Sequence, residues 1–305
     1  MKTKYYGHGK LLLTGEYAVL DGAKSLGLPT RLGQSLVVKR TTSTDIIWES
    51  YDTNNKMWFQ ADISLFDFSA VKTNNPEKAE FLQKILKNAV RLNSEFLSQW
   101  NGFKIETKLE FPLSWGLGSS STLIYLVAEW AEVNPLLLYF KTEEGSGYDV
   151  ACAFADGPIV YINSEDEVSY TEIDFSPKFK DNLFFVHTGV KQSTQSGIRD
   201  YLKAVKKKSV LVKEITKITE DVQSATKLSD FEALMDKHES LIAEHTGFER
   251  IQNKFKDYKG GVLKSLGAWG GDFILVTSDK GIDSVKSYFE GKGLTTVLPY
   301  KDIIL

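Results

Sequence analysis

The chain has 305 residues, 42% of them hydrophobic and 25% charged, with a formal net charge of −3. That composition belongs to an ordinary soluble globular protein of about two domains, with cores large enough to need neither disulfides nor structural metal. A weakly acidic chain has no global field to attract nucleic acid, and the single cysteine, Cys152, allows no intrachain disulfide.

Residues 1–10 contain no apolar leader core, and no segment is apolar enough to span a bilayer, so a cytoplasmic protein without membrane partners is expected. Residues 10–20 read as a strand, a glycine-marked turn and a second apolar run. Residues 35–40 and 45–48 are strand-like runs separated by a Thr/Ser turn. The period then changes. Leu82, Ile85, Leu86 and Ala89 share one helical face and Pro76 suits a first turn, which predicts a helix over 76–92. Phe103, Ile105, Thr107, Leu109 and Phe111 alternate strictly, the mark of a half-buried strand. That strand stops at Pro112, and a glycine-serine turn leads into a helix from about Ser119 to Glu132.

Beyond it come strand-like runs within 158–187 and a long helical region over 195–257. A buried strand at 272–277, a helix near 281–290 and a last strand near 294–299 follow. Mixed order of this kind predicts an α+β architecture. Polar, turn-rich stretches at 163–167 and 174–180 place the boundary between two domains, 1–170 and 171–305.

The strongest chemical signal is residues 112–126, PLSWGLGSSSTLIYL. Strand, glycine turn and helix in that order build an anion site, because the first amides of a helix are free and its dipole favours negative charge. Gly116 and Gly118 let the backbone approach a ligand closely. Ser119, Ser120 and Ser121 add hydroxyls for phosphate or for a magnesium ion. No G-x-x-x-x-G-K-[ST] loop and no G-x-S-x-G elbow occurs.

The string resembles the second motif of the GHMP kinases, P-x-x-x-G-L-G-S-S-[AS], and Pro112, Gly116, Leu117, Gly118, Ser119, Ser120 and Ser121 match it. Three more segments fall in the family's order. GKLLLTGEYAVLDG (9–22) is similar to motif one, KSLGAWGGDFIL (264–275) to motif three, and GSGYDVACAFADGPIVY (145–161) to the segment carrying the family's catalytic aspartate.

The resemblance implies the GHMP kinase fold: an N-terminal ribosomal-protein-S5-domain-2-like domain and a C-terminal ferredoxin-like GHMP domain. It implies ATP and Mg2+ as cofactors and a small-molecule acceptor. By position it makes Lys10 a charge stabiliser in the transfer and Asp149 the group that accepts or orients the acceptor's proton. On the residues alone, Asp149 also suits the cap of the helix that follows. Ser120 matches the magnesium-contacting serine, with Ser119 and Ser121 close enough to take that role instead. Glu16, Tyr17, Ser146, Lys191, Ser193, Thr194, Gly267, Ala268, Gly270 and Gly271 fall where acceptor contacts are expected. Two departures stand out. Trp269 replaces the usual glycine of motif three and should narrow the site or stack on a ligand. The interval before Asp149 is short, with apolar Leu136 to Phe140 where many members carry a magnesium-binding glutamate; Glu143 or Glu144 could substitute, or the metal could rely on Ser120, ATP and water, and no glutamate ligand is assigned.

Tyr17 after Gly15-Glu16, the segment HTGVKQST (187–194) and Asp272 after Gly270-Gly271 resemble phosphomevalonate kinases more than mevalonate kinases. The expected reaction is transfer of the γ-phosphoryl group of MgATP to phosphomevalonate or mevalonate by a monomer or homodimer. Two other readings share the resemblance: a diphosphomevalonate decarboxylase-like lyase, and a non-catalytic ATP- or metabolite-binding relative. His238 and His245, seven apart, lack a third ligand and do not argue for zinc.

Overall fold

The computed structural model describes residues 2–99, 101–164, 167–190, 194–204, 208–267, 269 and 271–305. The chain runs β1 (Lys2–Thr14), β2 (Ser25–Arg40), β3 (Asp45–Tyr51), β4 (Met57–Ser64), β5 (Ala70–Thr73), α1 (Pro76–Leu92), β6 (Phe103–Leu109), α2 (Ser119–Ala131), α3 (Pro135–Thr142) and α4 (Tyr148–Phe154). It continues through β7 (Ile159–Asn163), β8 (Val168–Glu172), β9 (Leu183–His187), α5 (Thr194–Ala204), α6 (Lys208–Ser224), α7 (Leu228–Thr246) and α8 (Ile251–Lys254). The last elements are β10 (Leu263–Ser265), β11 (Phe273–Thr277), α9 (Gly281–Glu290), β12 (Val297–Pro299) and α10 (Tyr300–Ile303). Among the described residues no helix is long and apolar enough to cross a membrane. Two units form: Met1–Gly9, Leu32–Leu113 and Leu117–Phe154 in the first, and Lys10–Arg31, Ser114–Gly116 and Ala155–Leu305 in the second.

In the first unit the strand order is β5-β4-β3-β6-β2, with the second half of β2. The β3–β6 pair is parallel and its neighbours are antiparallel. Along β6 every second residue, Ile105, Thr107 and Leu109, is buried. The one polar member, Thr107, keeps its hydroxyl satisfied by donating to Ser50 Oγ at 2.8 Å. Helix α1 starts where Asn75 accepts from the Lys78 amide at 3.2 Å and Pro76 takes the first position. Its buried stripe, Ala79, Leu82, Ile85, Leu86 and Ala89, joins a core with Ile46, Trp48, Ile105, Ile124 and Leu126. Full burial of each large apolar side chain contributes about 1.5–3 kcal/mol.

In the second unit β10-β11-β9-β12 form an antiparallel sheet, and the first residues of β2 pair with β7 and β7 with β8. All five residues of β11, FILVT, are buried. Ile274 and Val276 pack with Phe184, Val186, Leu263, Val285 and Phe289. The β11–β9 register sets Phe273 opposite His187. It thereby fixes the C-terminal end of β9 and the N-terminal end of β11 side by side.

Candidate active site

The start of α2 leaves its first amides without a side-chain cap. Gly118 caps it with a left-handed φ of +86° that a side chain would strain, and no side-chain cap closes the end. Thr122 N–H to Gly118 O, 2.9 Å, is the bond that closes the first turn, so the amides of Ser119, Ser120 and Ser121 lie ahead of it. Ser120 is exposed, and Leu117 is buried beneath the turn. Ser121 turns inward and donates its hydroxyl to Asp149 Oδ2 at 2.5 Å. Thr122 donates to Gln34 Oε1 at 2.6 Å, which pins the helix to β2. Asp149 stands inside the first turn of α4, not ahead of it, so it is not that helix's cap. Its Oδ1 accepts from the Val150 amide at 3.2 Å.

A second carboxyl shares this neighbourhood. Burial pushes Glu143 up, Lys84 pulls it down, and the Asp149 charge pushes it up again. Magnesium in nucleotide sites takes one or two carboxylates plus phosphate oxygens and water. The Ser120 hydroxyl, Asp149 and Glu143 are oxygen donors of the right kind for that mixed shell. Among the described residues no group of three His, Cys, Asp or Glu gathers as an all-protein cage.

In the second unit, the residue before Leu117 is locked by contact. Gly116 has φ +66°, and a Cβ there would fall 2.3 Å from the Asp272 carboxylate. Asp272 is itself left-handed, φ 50°. Its amide donates to Val190 O at 2.9 Å and its carbonyl accepts from Thr188 N at 2.8 Å. His187 joins the same layer. Gly189 N–H donates to its Nδ1 at 3.3 Å, which leaves Nε2–H to donate to Ser114 O at 3.1 Å. Trp115 packs edge-on against Phe273, with centroids 5.6 Å apart. Lys10 is half-buried on β1.

No family model matches the chain. A 115-residue stretch is 29% identical to the mevalonate kinase of Methanocaldococcus jannaschii, covering 37% of this chain and 35% of that protein. The Methanococcus jannaschii mevalonate kinase structure matches with a TM-score of 0.70 at 20% identity, over 97% of this chain and 96% of that one. The Streptococcus pneumoniae phosphomevalonate kinase, solved with phosphomevalonate and AMPPNP, matches with a TM-score of 0.69 at 17% identity, over 97% and 99%. The chain has the GHMP kinase fold. In sequence it is a distant homologue of a mevalonate kinase.

On that fold the motif-one and motif-three residues have definite places. The Glu16 carboxylate is 1% exposed and bonded to Lys264 Nζ, so it reaches the interior and not a ligand surface. Tyr17 has φ 58°, and its hydroxyl accepts from the Trp269 amide at 3.0 Å. The Trp269 indole donates to Glu249 O at 2.7 Å, so this ring anchors Trp269 of motif three to the α7–α8 connection. Gly267 takes φ +65°, while Gly271 and Ser146 are buried. Lys191, Ser193, Ala268 and Gly270 lie outside the described residues, as does the side chain of Thr194, the first residue of α5. Sequence reasoning missed His238, Glu239 and Lys264 as a group. The one signal was that Lys264 heads the motif-three string.

Proposed function

We propose that this chain is a small-molecule kinase that transfers the γ-phosphoryl group of MgATP to an acidic acceptor, phosphomevalonate first and mevalonate second. The observation that carries it is the pairing of the uncapped α2 start with Asp149 through Ser121. An anion-binding helix end and an oriented carboxylate are what in-line phosphoryl transfer requires, since catalysis there is mostly positioning and charge stabilisation. When bound, Mg2+ would neutralise charge developing on the phosphoryl oxygens. The amides of Ser119 to Ser121 bind the phosphates, Asp149 takes or orients the acceptor's proton, and Lys10 balances negative charge in the transfer.

Phosphomevalonate comes first because residues 187–194 resemble the corresponding segment of phosphomevalonate kinases. Its cation and hydroxyls suit a phosphate. The turn at 188–190 is tied to Asp272 by two backbone bonds, which supports its place beside motif three. Mevalonate is the second reading because the homologous stretch belongs to a mevalonate kinase. Incubation of the protein with MgATP and each acceptor, with ADP and carbon dioxide both measured, separates the possibilities. ADP without carbon dioxide is expected with phosphomevalonate. Carbon dioxide release would establish a lyase, and ATP binding without turnover of any acceptor would establish a non-catalytic binder.

A further inference from the structure

Four ionisable side chains of the second unit, which the transfer chemistry does not use, lie wholly inside it. Glu16, His238, Glu239 and Lys264 are 0–1% exposed. Lys264 Nζ is paired with Glu16 Oε1 and donates to Ser265 O at 2.9 Å. His238 Nε2 accepts from the Gly15 amide at 2.9 Å and lies 3.2 Å from Glu16 Oε2. Glu239 accepts from the Ser265 amide at 3.0 Å, the Ser265 hydroxyl at 3.2 Å and the Ile251 amide at 2.9 Å.

Two adjacent residues of α7 therefore hold two distant pieces of chain. His238 holds the turn at 15–17, which follows β1. Glu239 holds β10, which leads into the loop at 266–272. Lys264 then ties those two pieces to each other across 248 residues of sequence. The same pieces meet again where the Tyr17 hydroxyl accepts from the Trp269 amide.

Such a cluster costs a great deal to bury, and an apolar replacement would stabilise the interior as well or better. Its bonds go to backbone amides at defined points, which gives it directional value that apolar packing lacks. The imidazole must stay neutral to accept from Gly15, and burial together with the nearby Lys264 charge holds His238 well below the usual histidine range.

We propose that His238 and Lys264 are positioning residues for the phosphoryl acceptor, fixing the 15–17 turn against β10 and Trp269 so that these parts of motifs one and three keep one relative position. This rests on the kinase reading for its kinetic consequence but not for its structural one.

The test uses His238→Phe, His238→Gln and Lys264→Met, with the double variant Lys264→Met/Glu16→Gln in case an unpaired carboxylate prevents folding. Loss of positioning should raise the acceptor KM or lower kcat by about 10-fold or more, since misplacement of about 1 Å can cost 10²-fold. MgATP affinity should stay within about twofold, because the amides of α2 are untouched. Glutamine offers an oxygen in place of Nε2, so His238→Gln should recover most of what His238→Phe loses. Amide hydrogen exchange, which needs no substrate, should quicken in both 15–25 and 263–272 in His238→Phe. Folded variants with unchanged acceptor kinetics, or equal losses for acceptor and nucleotide, would overturn the proposal, as would faster exchange in only one of the two segments. Failure of the kinase reading would show separately, as wild-type protein that phosphorylates no acceptor while the exchange result stands.

Discussion

The α2 start and the Glu16–Lys264 cluster are both rich in polar groups, yet they sit in opposite surroundings. At α2, Ser120 faces solvent and three amides precede the first helical bond. Around Glu16, every charged group is sealed from water and bonded to protein. The difference separates two uses of polarity. Groups left open at a helix end can exchange water for a ligand, and that is chemistry. Groups closed on one another define where backbone segments lie, and that is scaffolding. Gly116 belongs to the second unit, where only a residue without Cβ fits against Asp272.

The sharpest way to break this comparison is to remove the groups assigned to chemistry. Lys10→Met should lower turnover by about 10²-fold or more, the scale of one lost electrostatic group, with nucleotide affinity measured by calorimetry little changed. Asp149→Asn should match that loss if the acceptor is a hydroxyl. A phosphomonoester, with a second pKa of about 6, is already largely ionised near neutral pH, so the loss should then be smaller. Near-normal turnover in both variants would remove Lys10 and Asp149 from the chemistry.

The buried cluster should instead show itself in stability against pH. Burial pushes Glu16 up to about 7 from an ordinary 4.5, against the pull of Lys264 and with a further push from Glu239; His238 faces it as a neutral ring. A carboxyl raised on folding binds more protons in the folded state, so stability falls as pH climbs from about 4.5 to about 7 and then levels. Glu16→Gln has no such proton to lose. Across that window its unfolding free energy should fall less than wild type's, by on the order of 2 kcal/mol. Parallel pH curves for the two proteins in urea titrations would contradict the assignment.

A smaller effect tests the Gly116–Asp272 contact within the second unit. Gly116→Ala combines a left-handed φ with a contact at 2.3 Å and should cost about 1–3 kcal/mol. Gly157→Ala, with nothing within 4 Å of its Cβ, should stay within about 0.5 kcal/mol in the same thermal melts.

Much of the first region was legible in sequence because its signals are local. The helix period fixed α1 at 76–92, and the glycine-serine spacing located the α2 start. Helix α3 was not read, since its apolar run Leu136 to Phe140 hides the period, although Asn134 caps it by accepting from the Leu137 amide at 3.0 Å beside Pro135. The inward turn of Ser121 onto Asp149 needed the fold, because nothing in SSST distinguishes the three hydroxyls. The buried cluster was illegible for a different reason. His238 meets Gly15 from 223 residues away, and no local pattern marks a histidine as the acceptor for a distant amide. Trp269 shows the same limit: its size was plain, but its bond to Glu249 O was not.

The central claim, phosphoryl transfer at the α2 start, is tested most directly by phosphorus NMR of wild-type protein with MgATP and phosphomevalonate, followed in time beside Gly118→Val. The account predicts loss of the ATP γ resonance with matched growth of ADP and a new diphosphate ester, and no such change in the folded variant, whose side chain blocks the turn at φ +86°. An unchanged ATP spectrum with phosphomevalonate, mevalonate and every other acceptor offered, or equal turnover by Gly118→Val, would contradict it.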